Sequence, residues 1–165
     1  MRFLYMILIS MIFMGCSSTH IDELWKVHTQ EADYRLKLLK TQKATLYDTN
    51  NNIQASLIAT YVTLAYTSDN KEEFIVSFYT ADGKDIFDKN SKYYLKLNGT
   101  NPVKIEQLDS NDTRLKDISF KTSWKNYYFV TFEHLKSETL YIQFGLKNAS
   151  EVKLYFAKRA KYIYD

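Results

Sequence analysis

Lys92-Tyr93-Tyr94-Leu95-Lys96-Leu97-Asn98 runs straight into Gly99-Thr100-Asn101-Pro102. Tyr93, Leu95 and Leu97 take alternate positions, with Lys92, Tyr94, Lys96 and Asn98 between them. Successive side chains on a strand point to opposite faces, so this pattern spells a half-exposed strand that stops at a turn. The same period of two recurs outward in both directions. Downstream, strands are predicted at residues 103–108, 127–133, 139–146 and 151–158, with a polar loop around residues 109–113. The last two are joined by Lys147-Asn148-Ala149-Ser150, a four-residue hairpin loop. Upstream, residues 74–80 end at Ala81-Asp82-Gly83-Lys84, where Asp-Gly signals a hairpin. Residues 53–64 are apolar on both faces, which predicts a central, buried strand. Residues 44–48 form another strand, followed by a turn at Asp48-Thr49-Asn50-Asn51-Asn52, because Asp and Asn tolerate left-handed backbone.

About seven or eight short strands with turn signals between them, and no long helices, predict a mainly β chain. The expected fold is an antiparallel β-sandwich, Ig-like or C2-like, with a short N-terminal helix. Thr19-His20-Ile21-Asp22 fits a capping box, and Ile21, Leu24, Trp25 and His28 follow at helical spacing, placing that helix at residues 20–31. Residues 32–42 carry both signals. They either extend the helix to Leu39 or alternate as a strand through Tyr34, Leu36 and Leu38.

The chain has 165 residues and opens with a different kind of segment. Arg2 precedes an apolar run from Phe3 to Phe13 broken only by Ser10, and then comes Met14-Gly15-Cys16-Ser17. That run is too short to span a bilayer, which takes about 20 helical residues, and it matches the core of a secretory signal. All four Met residues lie within the first 14 residues. The small residue before a cysteine resembles the lipobox of bacterial lipoproteins, although Phe13 and Met14 depart from its commonest form. The resemblance implies cleavage before Cys16, a diacylglycerol thioether on Cys16, and acylation of the new amino terminus. Residues 1–15 are then a signal peptide, 16–19 a lipidated tether, and 20–165 a single domain preceded by the short helix. Ser17 in place of Asp implies sorting to the outer membrane, so the implied address is the periplasmic face of that membrane.

Ala44-Thr45-Leu46-Tyr47-Asp48, Ala59-Thr60-Tyr61, Phe78-Tyr79-Thr80 and Trp124 with Tyr127-Tyr128-Phe129-Val130-Thr131-Phe132 resemble a family of uncharacterised single-domain lipoproteins from proteobacteria. That likeness covers roughly residues 25–146. It implies address and fold and brings no activity.

The rest of the sequence narrows the function classes. Net charge is +3, with Lys alternating with Asp and Glu, which predicts no nucleic-acid partner. Lys158-Arg159-Ala160-Lys161 reads as a solvated strand end or tail. Cys16 is the only cysteine, so no disulfide or cysteine-based metal site forms within one chain. His20, His28 and His134 show no metal-ligand spacing, and His28 falls on the apolar face with Trp25. The acidic run from Asp82 to Asn90 lacks the order of a calcium loop and holds two lysines, so it reads as a solvated turn. No nucleophile motif or glycine-rich phosphate loop is present. The expectation is a protein without catalytic residues, metal or cofactor.

Two features point to binding. Tyr93-Tyr94 and Tyr127-Tyr128 place one ring of each pair outward, and Tyr94 and Tyr127 are the candidates for an interaction surface. Such rings either anchor a protein or glycan surface or stabilise an exposed sheet as cross-strand pairs. Asp109-Ser110-Asn111-Asp112-Thr113 resembles the longer acceptor of bacterial N-glycosylation, making Asn111 a candidate site. The expected role is a membrane-anchored docking or accessory module for another envelope protein. The alternative is a binder or carrier of a small ligand or glycan.

Overall fold

The computed structural model describes residues 38–62, 71–116, 118, 124 and 126–158. The chain divides into compact units at residues 1–35 and 36–165. The predicted signal peptide, Cys16 and the helix at residues 20–31 lie outside the described residues. Within the stretch the sequence left open, Leu38 and Leu39 are helical and the first strand begins at Thr41.

Among the described residues there are eight strands: β1 (Thr41–Tyr47), β2 (Ile53–Tyr61), β3 (Glu72–Thr80), β4 (Tyr93–Leu97), β5 (Lys104–Leu108), β6 (Tyr127–Phe132), β7 (Thr139–Leu146) and β8 (Glu151–Ala157). They form two antiparallel sheets, ordered β1-β2-β3-β6-β5 and β4-β7-β8. The fold is thus the expected β-sandwich. None of the described helices is long and apolar enough to cross a membrane.

Alternation decides which side chains meet between the layers. Leu57, Ala59 and Tyr61 of β2, Phe74, Val76 and Phe78 of β3, and Tyr128, Val130 and Phe132 of β6 point inward from the large sheet. Tyr93, Leu95 and Leu97, then Leu140, Ile142 and Phe144, then Leu154 and Phe156 answer from the small one. Aromatic rings fill the space in between. Phe74 stands edge-on to Phe132 at 5.9 Å and to Phe156 at 5.2 Å. β2 is central, as its two apolar faces require, with β1 on one side and β3 on the other.

Local turn chemistry sets the connections. Asp48 Oδ1 accepts the backbone N–H groups of Asn50 and Asn52, both at 2.8 Å, and Asn51 is left-handed at φ 66°. The β7–β8 hairpin closes with Asn148 at φ 63°. The Asp82-Gly83 signal is a different matter. A turn forms there, with Gly83 at φ 68° and its N–H on the Thr80 carbonyl, but no hairpin follows. Both edges of β3 are taken by β2 and β6, so the chain leaves for the other sheet and becomes β4. It returns at Asn98-Gly99, where both residues have positive φ and Leu97 and Thr100 exchange backbone hydrogen bonds.

One end of the core is closed by charge. Glu72, 2% exposed, accepts the Tyr61 hydroxyl at 2.8 Å and the Leu135 N–H at 3.1 Å. Lys158 Nζ lies 2.5 Å from Glu72 Oε1, and His134 Nδ1 lies 3.1 Å from the same oxygen. Lys158 also donates to the Leu135 carbonyl. Burial pushes the Glu72 carboxyl up, yet the Lys158, Leu135 and Tyr61 hydrogen bonds outweigh it and hold the group below its ordinary value. This constellation ties the end of β8 to β3. Every member is bonded to Glu72, which makes it a structural clasp.

Candidate functional site

The outward face of the small sheet is a lattice of three rows across β4, β7 and β8. Tyr94 pairs with Gly145 and Gly145 with Glu151; Lys96 with Gln143 and Gln143 with Lys153; and Tyr141 with Tyr155. The inward positions of these strands are Leu, Ile and Phe, so the intervening polar and aromatic residues must face away from the core. Tyr155 is 59% exposed and its ring lies 6.0 Å from that of Tyr141, a cross-strand aromatic pair. Lys153 Nζ sits 5.2 Å from the Tyr141 ring centre and Lys96 Nζ 5.8 Å from that of Tyr94. Asn98 Oδ1 accepts the Tyr141 N–H at 2.7 Å and pins that end of the face.

Tyr94 reaches Glu151 by lying across Gly145. Its hydroxyl donates to Glu151 Oε2 at 2.7 Å, and Gln143 Nε2 donates to the same oxygen at 3.1 Å. The bond to the Glu151 carboxylate, with a smaller effect of burial, pushes the Tyr94 phenol up to about 12. A Cβ on Gly145 would fall 2.7 Å from the Tyr94 hydroxyl oxygen and 2.8 Å from the Ser150 carbonyl. Gly145→Ala should therefore expel the ring, at a cost of about 1–3 kcal/mol for overpacking. The Tyr94 phenol should then titrate nearer the ordinary value of about 10. Ring-labelled tyrosine NMR across alkaline pH reads this directly, and an unmoved Tyr94 titration would refute the contact.

Tyr127 does not share this face. It lies on the large sheet and is buried, 8% exposed, among Val62, Ile75, Leu108, Leu115 and Phe129. The expected exposed ring is covered because the chain after β5 folds back through a 3-10 turn, Thr113–Lys116, and drops Leu115 onto the sheet. Arg114 fastens this cover. Its guanidinium lies 4.8 Å from the Phe129 ring centre and bonds Asp112 at 2.7 Å and Glu106 at 2.5 Å. Those hydrogen bonds hold both carboxyls down at about 2. The neighbouring rings Tyr93 and Tyr128 point into the core, stacked on Phe144 at 6.3 Å and Phe78 at 5.4 Å. Of the two nominated tyrosines, only Tyr94 therefore reaches an open face.

Tyr141 and Tyr155 were missed, although the signal was present. In Leu140-Tyr141-Ile142-Gln143-Phe144 and Leu154-Tyr155-Phe156 the aliphatic and Phe residues claim the core, so each Tyr must point out. Asn111 stands exposed in the turn closed by the Asp112 N–H on the Asp109 carbonyl. Within the acidic run, Asp82 pairs with Lys92 at 3.1 Å, while Asp85 receives the Tyr128 hydroxyl and the Phe87 N–H. Among the described residues no cluster of three or more His, Cys, Asp or Glu side chains is placed to hold a metal ion. No protein-family model, curated protein or solved structure matches the chain.

Proposed function

We propose that the chain is an envelope lipoprotein, held at the outer membrane by acyl chains on Cys16, whose small sheet docks a second envelope protein. The observation that carries the docking reading is the open face bearing Tyr94, Tyr141 and Tyr155 around Lys96 and Lys153. Tyrosines bring large, rigid contact area with a polar tip, and a few such residues usually supply most of an interface's binding energy. The two lysines favour a partner with carboxylates opposite them. The inter-sheet layer is filled with side chains, which speaks for surface recognition over an interior carrier. A tether suits this role, because it raises local concentration without demanding tight intrinsic affinity.

The anchor and the interface are tested separately. Cys16→Ser should abolish fatty-acid labelling and membrane retention, since each buried CH₂ contributes about 0.8 kcal/mol to anchoring. Labelling that survives the substitution would remove the lipoprotein reading. For docking, a photo-crosslinker at position 155 in intact cells should give a discrete adduct with one envelope protein. Tyr94→Ala and Tyr141→Ala should each weaken that adduct without unfolding the domain. Adduct levels indifferent to both substitutions would mean that this face is not the interface.

A further inference from the structure

A groove of about 340 Å³ opens at the end of β3, walled by Tyr79, Trp124, Asn126, Gly83, Lys84 and Asp85. Its volume is at the low end of the range for small-molecule sites, about 300–1,000 Å³. Two of its walls are aromatic. Tyr79 points away from the core and is 44% exposed, and Trp124 is partly exposed, with Lys43 Nζ 5.9 Å from its ring centre.

The polar wall is built rather than incidental. Asp85 Oδ2 accepts the hydroxyl of buried Tyr128, and Oδ1 accepts the Phe87 N–H at 2.8 Å. Tyr128 is itself wedged between Phe78 at 5.4 Å and Phe87 at 5.0 Å. The carboxylate is thus held in one orientation, and each of its oxygens has capacity for a further hydrogen bond. The Thr80 hydroxyl donates to the Lys84 carbonyl at 2.7 Å and fixes the loop, while the Asn126 side chain is exposed beside it. Above Gly83 nothing lies within 4 Å of where a Cβ would sit, so the loop leaves the groove open.

This mixture narrows the ligand. An apolar molecule would strip water from the remaining acceptor positions of Asp85 and from the exposed Asn126 amide, which is costly. Lys84 and Asp85 put opposite charges in the same wall, which gives no net preference for an anion or a cation. A neutral ring with an apolar face and several hydroxyls satisfies every wall. We propose that this groove binds a neutral saccharide, with pyranose C–H faces against Trp124 and Tyr79, a hydroxyl donating to Asp85, and a second hydroxyl bonded to Asn126. The site is independent of the docking face, since it shares no residue with it.

The 165-residue chain carries two tryptophans, Trp25 and Trp124, so a Trp25→Phe background makes Trp124 the sole indole reporter. Cellobiose and N,N′-diacetylchitobiose are titrated against it by tryptophan emission and by saturation-transfer NMR. At least one disaccharide should saturate and shift the emission. Asn126→Ala should weaken binding by about tenfold, the size of one good hydrogen bond. Trp124→Ala should remove the saturable NMR signal. Asn126 is exposed, so its variant reports on the groove without risk to the core. The proposal is overturned if neither disaccharide binds, if tryptophan amide binds and the sugars do not, or if both variants bind the sugars as tightly as the parent chain.

Discussion

Phe132→Ala should destabilise the domain by about 3–5 kcal/mol, the range for truncating a buried Phe. Its ring is fully buried and edge-on to Phe74, which in turn touches Phe156 of the opposite sheet. The void would therefore open where the two layers meet, against β3 and β6, two interior strands of the large sheet whose backbones have little freedom to collapse. Chemical denaturation should show an earlier midpoint with an unchanged slope. A loss below about 1 kcal/mol would mean that the surrounding rings repack into the space.

Glu72→Gln should cost a comparable amount, about 3–5 kcal/mol, for a different reason. Removing one member of a buried ion pair leaves the other charge uncompensated, and Lys158 would keep only neutral partners. Lys158→Met in the Glu72→Gln background should restore part of the loss, because the stranded ammonium is then gone. The pH dependence is fixed in sign. Glu72 is held below its unfolded value, so its contribution is complete above the ordinary glutamate range of about 4.3. It is lost as pH falls through the lower folded value. Wild-type stability should thus decline with acidification in that window, and the Glu72→Gln chain should lack this part of the decline. Parallel acid slopes in the two chains would show that the pair does not act as described.

Much of the architecture was legible because a strand writes its faces into alternate residues. β7 has the bounds that alternation predicted, β4 falls within one residue of them at each end, and β2 is central as its two apolar faces require. Neighbours are a different question. Nothing in Asp82-Gly83 says that both edges of β3 are already occupied, so a good turn signal was read as a hairpin. Tyr127 failed for a subtler reason. All six residues of β6 are buried, the same two-sided pattern that identified β2, but its outer cover comes from Leu115 and Ile118, two apolar residues in a polar stretch. The groove was illegible, since its walls come from β3, the following turn and residues near β6. The Glu72 clasp likewise joins residues from both halves of the described chain and leaves no local trace.

The crossing of the chain between layers also governs how this molecule must come into being. Only β1-β2-β3 and β7-β8 join strands adjacent in sequence within one sheet, apart from the β5-β6 pair that needs β3 to dock on. The seams that make the body whole, β3 with β6 and β4 with β7, unite segments far apart along the chain. Closing such long loops costs entropy before any contact repays it, which slows folding. A chain emerging amino terminus first can therefore form its opening meander early but cannot complete the large sheet until β6 has followed, or the small one until β7 and β8 have. Until then, the edge of β3 that β6 will cover stays open, and a strand with a free edge is the kind of surface that invites mispairing.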